Sequence, residues 1–185
     1  MSKKFIVAMS GASGSILAIR LLEKLRRLKA ETHLIVSEPA SQVMEHETGK
    51  TLPDLKKLAS HIHRNNDFFA PISSGSFKTE GMVIIPCSMK TLAGVASGYA
   101  DNLTLRAADI CLKEKRKLIL VTREMPLSLI HTENMARVSR AGGVILPPIL
   151  TFYNKPKNIN CMINHVVGKV LDILGLDNDV YRRWK

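Results

Sequence analysis

Short β-branched runs alternate with amphipathic stretches from one end of this chain to the other, and few folds accommodate that order. Strands are expected over residues 4–9, 32–36, 81–86, 117–122 and 143–146, where apolar residues follow one another without a polar face. Helical spacing covers residues 15–28, 38–47, 88–98, 102–115 and 127–141, with a shorter helix over 53–61 and a last one over 158–174. Strands apolar on both sides and separated by helices require βαβ crossovers and a parallel sheet covered on both faces. The expected class is therefore α/β, a Rossmann-like or flavodoxin-like three-layer sandwich. A chain of 185 residues with 45% hydrophobic content fills one sizeable core, so residues 1–185 are read as a single domain.

Charge and cysteine usage narrow the class of function. The net charge of +11, from 27 Lys and Arg against 16 Asp and Glu, suits nucleic acid, an acidic membrane or a phosphorylated small molecule. Arg20, Lys24, Arg26, Arg27 and Lys29 recur at helical spacing, the pattern of a solvated helix face, which argues against nucleic acid. Cys87, Cys111 and Cys161 are widely spaced with no C-x-x-C pair, so neither a zinc site nor a disulfide framework is implied and a reducing, cytoplasmic setting fits. The apolar run over residues 5–9 is too short for a signal-peptide core or a membrane span, and no later run approaches spanning length, so a soluble protein is expected. The six histidines show no metal-ligand spacing, and His61 and His63 are expected on a surface loop.

The chemistry concentrates at the ends of the expected strands. Ser10-Gly11-Ala12-Ser13-Gly14 follows the first strand and opens a helix, where small residues, free N–H groups and the helix dipole favour an anion. The spacing is neither a dinucleotide fingerprint nor a P-loop, so a mononucleotide suits it better, and a plain Ser/Gly helix cap explains it equally well. Ser37 ends the second strand, Ser88 and Thr91 follow the third, and Arg123 follows the fourth, so hydroxyls and a guanidinium converge on one sheet edge. Arg123-Glu124 reads as a surface ion pair or, ahead of Pro126 in a shaped turn, as a phosphate ligand. Lys113 and Arg106 lie in a basic helix where exposed cations are ordinary, and Asp101-Asn102-Leu103 precedes that helix. Trp184, the only tryptophan, and Tyr153 are packing residues or covers for a pocket.

Ser10–Gly14, Ser73-Ser-Gly-Ser-Phe77, Pro86-Cys-Ser-Met-Lys-Thr91, Arg106-Ala-Ala-Asp109, Leu112-Lys-Glu114, Arg123-Glu-x-Pro126 and Phe152-Tyr153 occur together in this order. By these motifs the chain resembles the UbiX-type flavin prenyltransferases over nearly its whole length. The resemblance implies a flavodoxin-like subunit that binds FMN at subunit interfaces of a homododecamer. It further implies transfer of a dimethylallyl group from dimethylallyl phosphate to N5 and C6 of reduced FMN, giving the cofactor of UbiD-type aromatic-acid decarboxylases. Carried over, Gly11, Ala12, Ser13, Ser37, Ser88, Met89, Lys90, Thr91, Arg106 and Arg123 hold FMN. Lys113, Arg123, Glu124, Tyr153 and Lys169 surround the prenyl phosphate, and Ser13 and Glu47 lie near flavin N5. Cationic and phenolic donors stabilise a departing phosphate, Glu124 relays a proton, and Trp184 and Phe69 face an allylic cation through their π systems. No metal is required, in keeping with the lack of a D-D-x-x-D segment. Lys169 stands where many relatives have Arg, exchanging a planar fork for a point charge, and Ser15-Ile16-Leu17 departs from the small and aromatic residues of many relatives. Three other readings remain: an FMN-dependent cysteine decarboxylase, a direct aromatic-acid decarboxylase and a non-catalytic flavin carrier.

Overall fold

Six strands, all parallel, form one sheet in a computed structural model that describes residues 2–184. They are β1 (Lys4–Met9), β2 (Glu31–Val36), β3 (His61–Arg64), β4 (Gly81–Cys87), β5 (Lys117–Thr122) and β6 (Val144–Ile145), in the order β3-β2-β1-β4-β5-β6. The helices are α1 (Ser15–Arg27), α2 (Glu38–Thr48), α3 (Leu52–Leu55), α4 (Met89–Ser97), α5 (Leu103–Lys113), α6 (Leu129–Arg140) and α7 (Ile159–Leu174). The expected three-layer α/β class is what the chain adopts.

Alternation along β1 divides the core. Phe5, Val7 and Met9 pack with α1, α2 and α7 on one face, while Ile6 and Ala8 pack with α4, α5 and α6 on the other. All seven residues of β4 are buried, as a central parallel strand covered on both sides demands. Side-chain caps start most of the longer helices: Ser37, Ser88, Asn102, Ser128 and Asn158 each accept a backbone N–H one turn into the helix they precede.

Two expectations are corrected at the β3 edge. The helix expected over 53–61 stops at Leu55, and His61 and His63, expected on a loop, belong to β3. The cause is tertiary. His61–Arg64 carries only one apolar residue and gains its strand conformation by pairing with β2, His33 opposite His61 and Ile35 opposite His63. Strand β6 is also shorter than expected, with only Val144 and Ile145 paired.

Parallel strands send every strand-to-helix loop to one edge of the sheet. The chain leaves β1 toward β2 and β3 in one direction and reaches β4, β5 and β6 in the other, so the order reverses between β1 and β4. A crevice opens at such a switch point. Among the described residues no helix is long and apolar enough to cross a membrane.

After α7, Gly175 turns the chain in the left-handed region (φ 74°), and the tail folds back along the helix. Asp172 fastens it, accepting from Tyr181 Oη at 2.6 Å, Asn178 Nδ2 at 2.8 Å and Arg183 Nη2 at 2.7 Å. Gly168 is required beneath, because a Cβ there would run into the Tyr181 ring. The hydrogen bond from Arg183, opposed by partial burial and aided by Tyr181 and Asn178, holds the Asp172 carboxyl at about 2, below its ordinary 3.8. Because the folded value is depressed, the tether is complete above pH 3.8 and is lost as pH falls through about 2. Fluorescence of Trp184 is expected to report release of the tail over that acid window in the wild type and already at pH 7 in Asp172→Asn.

Candidate active site

The crevice at the carboxyl ends of β1, β2, β3 and β4 has a volume of about 990 Å³. Ser10 ties its two sides together. Its buried hydroxyl donates to the Pro86 carbonyl at 2.9 Å and accepts the Ser88 N–H at 2.7 Å, joining the end of β1 to that of β4. Ser88 then caps α4 by accepting the Thr91 N–H at 3.3 Å, and its hydroxyl lies 3.1 Å from that of Thr91. The N–H groups of Met89 and Lys90 have no protein partner among the described residues. Two open N–H groups, two hydroxyls and a helix dipole at the mouth of a crevice constitute an anion site. Gly11 is obligatory on the facing wall, where a Cβ would come within 2.6 Å of Pro39 Cβ.

The helix terminus that the sequence singled out for an anion already has one. Glu47, at the end of α2, accepts the Gly14 N–H at 3.0 Å and the Ser15 N–H at 2.9 Å, so its carboxylate caps α1. Gly14 reaches this geometry in the left-handed region (φ 109°), which glycine adopts without strain. Partial burial pushes Glu47 up, but hydrogen bonds from the Ser13 hydroxyl and the Ser15 and Gly14 N–H groups outweigh it and hold the carboxyl below its ordinary value. Glu47 thus occupies the Gly14 and Ser15 N–H groups of the expected cradle, while the Gly11 and Ser13 N–H groups, like those of Met89 and Lys90, have no protein partner among the described residues.

Arg123 and Glu124 leave β5 on the same edge. The Arg123 N–H donates to the Cys87 carbonyl at 3.0 Å, fixing the backbone, while Glu124 accepts only from the neighbouring Met125 N–H. Both side chains are exposed and do not pair with each other, so the reading as a surface ion pair is set aside. Cys87 between them is buried, and burial pushes its thiol far above the ordinary range, which makes it a packing residue and not a nucleophile.

The remaining expected residues lie elsewhere on the chain. Lys113 closes α5 at the opposite edge of the sheet, where it pairs with Glu114 at 2.7 Å beside Gly75. Arg106 donates to the Ser73 carbonyl at 3.2 Å and to Asp109 at 3.0 Å. The six residues of β5 separate Lys113 from Arg123 by roughly 20 Å. A third group surrounds α7, where the Tyr153 ring meets Trp184 edge-on at 5.4 Å and His165 at 5.7 Å. Lys169 stands one turn beyond His165, whose imidazole is held below its ordinary value by burial and then by the Lys169 charge. Phe69 is fully exposed and joins none of these groups. One chain thus does not bring Lys113, Arg123, Tyr153 and Lys169 onto a single phosphate.

The sequence reading missed one wall of the crevice. Asn65 accepts from the Thr104 N–H at 3.1 Å and the Thr104 hydroxyl at 2.7 Å, locking the loop after β3 onto the start of α5. The signal was Asp101-Asn102-Leu103, noted without a role; Asn102 caps α5 and lines the crevice.

The fold and the crevice define an α/β flavoprotein. The Flavoprotein family model matches residues 1–174, and the chain belongs to that family. Within it the chain belongs to the UbiX flavin prenyltransferases. It is 52% identical over 181 residues to the flavin prenyltransferase UbiX of Methanocaldococcus jannaschii, covering 98% of each chain. The crystal structure of AnUbiX (PadA1) in complex with FMN and dimethylallyl pyrophosphate superposes with a TM-score of 0.98 at 47% identity, over 100% of this chain and 98% of that one. The dodecameric FMN-dependent UbiX-like decarboxylase of Escherichia coli O157:H7 has a TM-score of 0.96 at 51% identity, over 98% and 99% of the two chains.

Glu47→Ala removes the carboxylate from the α1 terminus and is expected to cost about 1 kcal/mol, read as a lowered urea midpoint. Glu47→Gln, which keeps one acceptor oxygen, is expected to lose less.

Proposed function

We propose that the protein transfers a dimethylallyl group from an allylic phosphate to reduced FMN, without a metal, and so makes the prenylated flavin that a UbiD-type decarboxylase consumes. The observation that carries this reading is the open N-terminus of α4 beside a flavin-sized crevice, in a chain so close to a relative holding FMN and a dimethylallyl donor. The fit to FMN rests on the crevice volume, the close approach that Gly11 permits, and the N–H groups and hydroxyls available for one phosphate.

Reduced FMN supplies the nucleophilic positions N5 and C6, and the donor's C–O bond breaks to release phosphate. The chain's own groups divide the remaining work. Ser88, Met89, Lys90 and Thr91 bind the FMN phosphate, with Gly11, Ala12, Ser13, Ser37, Arg106 and Arg123 completing the flavin set. Ser13 and Glu47 attend the proton at flavin N5. Glu47, stabilised as the anion by its N–H partners, serves as an acceptor that orients the Ser13 hydroxyl and is a weak base. Lys113, Arg123, Tyr153 and Lys169 stabilise the leaving phosphate, Glu124 carries a proton to it, and the Tyr153–Trp184 pair offers aromatic faces to developing allylic charge.

The separation of Lys113 from Arg123 supports a site completed by other copies of the chain. Large apolar side chains stand uncovered along the α6 face and the segment after β6: Leu129 is 73% exposed, Ile130 68%, Ile149 70% and Phe152 65%. Contiguous exposed apolar surface of this kind marks an interface. A homododecamer, the assembly of the E. coli relative, is the proposed state, and the cytoplasm the proposed location.

Anaerobic incubation of the purified protein with reduced FMN and either dimethylallyl phosphate or dimethylallyl pyrophosphate, followed by mass spectrometry of the flavin, tests the reading. A flavin heavier by one C5 prenyl unit is expected with at least one donor. Unmodified FMN with both would contradict prenyl transfer and favour a carrier or a direct decarboxylase.

A further inference from the structure

Three histidines and a glutamate meet on the paired strands β2 and β3. Pairing of β2 with β3 puts His33 opposite His61 and brings His63 next to both. Glu31 Oε1 lies 3.2 Å from His33 Nε2 and 3.4 Å from His61 Nε2. The other carboxylate oxygen, Oε2, is held by Lys4 Nζ at 3.3 Å. On its second nitrogen, His33 Nδ1 lies 3.0 Å from His63 Nε2. The His33 and His61 rings stack at 4.6 Å, and the Phe77 ring covers His33 edge-on at 5.1 Å.

We propose that Glu31, His33 and His61 form a site for a zinc-type divalent cation that clips β3 to β2. One nitrogen of each histidine and one carboxylate oxygen lie within 4.8 Å of one another. Ligands on a tetrahedral zinc at its usual bond lengths are about 3.3 Å apart, close to the two distances from Glu31. The donor set, two imidazoles and a carboxylate, is one that zinc takes with a water in the fourth position. The support behind the ligands is that of a metal site. A ligating histidine commonly donates its second N–H to an acceptor that fixes its tautomer. Without metal His33 Nε2–H donates to Glu31 Oε1; with a metal on Nε2 the proton is on Nδ1, and His63 Nε2, 3.0 Å away, is placed to accept it. Lys4 plays the corresponding part for the carboxylate by holding Oε2 while Oε1 remains available.

Burial and access are also divided suitably. The His33 side chain is 4% exposed and the His61 side chain 52%, so the site has a rigid inner ligand and an outer ligand that solvent reaches. The ligands are Glu31 and His61, the first residues of β2 and β3, with His33, whereas the crevice is lined by Val36, Ile62, His63 and Arg64 further along those strands. None of the three ligands lines the crevice, and His63 is the residue that joins the two. The effect of the site is on the edge strand, which pairs by four residues only and carries Ile62, His63 and Arg64 into the crevice wall.

The test uses the full-length protein in its native assembly, stripped with a chelator and titrated with zinc by calorimetry and with cobalt by absorbance. One zinc per chain and the intense ligand-field bands of four-coordinate cobalt are expected. His61→Ala, at an exposed position, is expected to lower zinc affinity by tenfold or more, and His63→Ala by about tenfold through loss of the His33 support. His46→Ala, on exposed α2 surface, is expected to bind zinc as the wild type does. Zinc is expected to raise the melting temperature of the wild type and not of His61→Ala. Failure of the wild type to bind zinc at tens of micromolar, or equal binding by His61→Ala, would overturn the proposal.

Discussion

All six strands run in one direction, and this constraint governs where chemistry is available on the chain. Every loop that follows a strand emerges on one edge of the sheet, which is why Gly11, Ser37, Ser88 and Arg123, far apart in sequence, share that edge. Every returning helix carries its last residues to the other edge. Helix α5 therefore leaves Lys113 near the start of β5, while Arg123 follows its end. A chain of this topology gathers Gly11, Ser37, Ser88 and Thr91 at one crevice and leaves Lys113 at the far edge of the sheet. Assembly of copies follows from the topology once both Lys113 and Arg123 are required.

Glu47 distinguishes the two helix N-termini that follow the central strands β1 and β4. Glu47 neutralises the first with three hydrogen bonds, two at Gly14 and one at Ser15. The second keeps its Met89 and Lys90 N–H groups open, and Ser10 holds it in place against β1. An internal carboxylate at one terminus leaves the other available to the phosphate of the proposed flavin, at the point where the strand order reverses. The same contact depresses the Glu47 carboxyl, which favours a part in orientation over one in proton abstraction.

Much of this was legible in the sequence, for identifiable reasons. The central strands were readable because burial on both faces writes an unbroken apolar run, as in Met82–Ile85. Strand β3 was not, because His61–Arg64 owes its conformation to β2 and not to its own residues. The histidine cluster was hidden for the same reason: His33 and His61 are 28 residues apart in sequence and adjacent only through strand register. The capping role of Glu47 was equally hidden, since nothing local to the end of α2 announces a partner 33 residues earlier. The separation of Lys113 from Arg123 was in principle readable, because it follows from the direction of one helix and one strand.

Subunit mixing tests the central claim, that one chain contributes Arg123 and another Lys113 to each complete site. Lys113→Ala and Arg123→Ala are each expected to abolish prenyl transfer as pure assemblies. After dissociation and random reassembly at equal amounts, about one quarter of the sites draw an intact Arg123 from a Lys113→Ala chain and an intact Lys113 from an Arg123→Ala chain, so activity should return to about a quarter of the wild-type value. Mixed assemblies that remain as inactive as either parent would contradict the account, since they would mean that both residues act from the same chain.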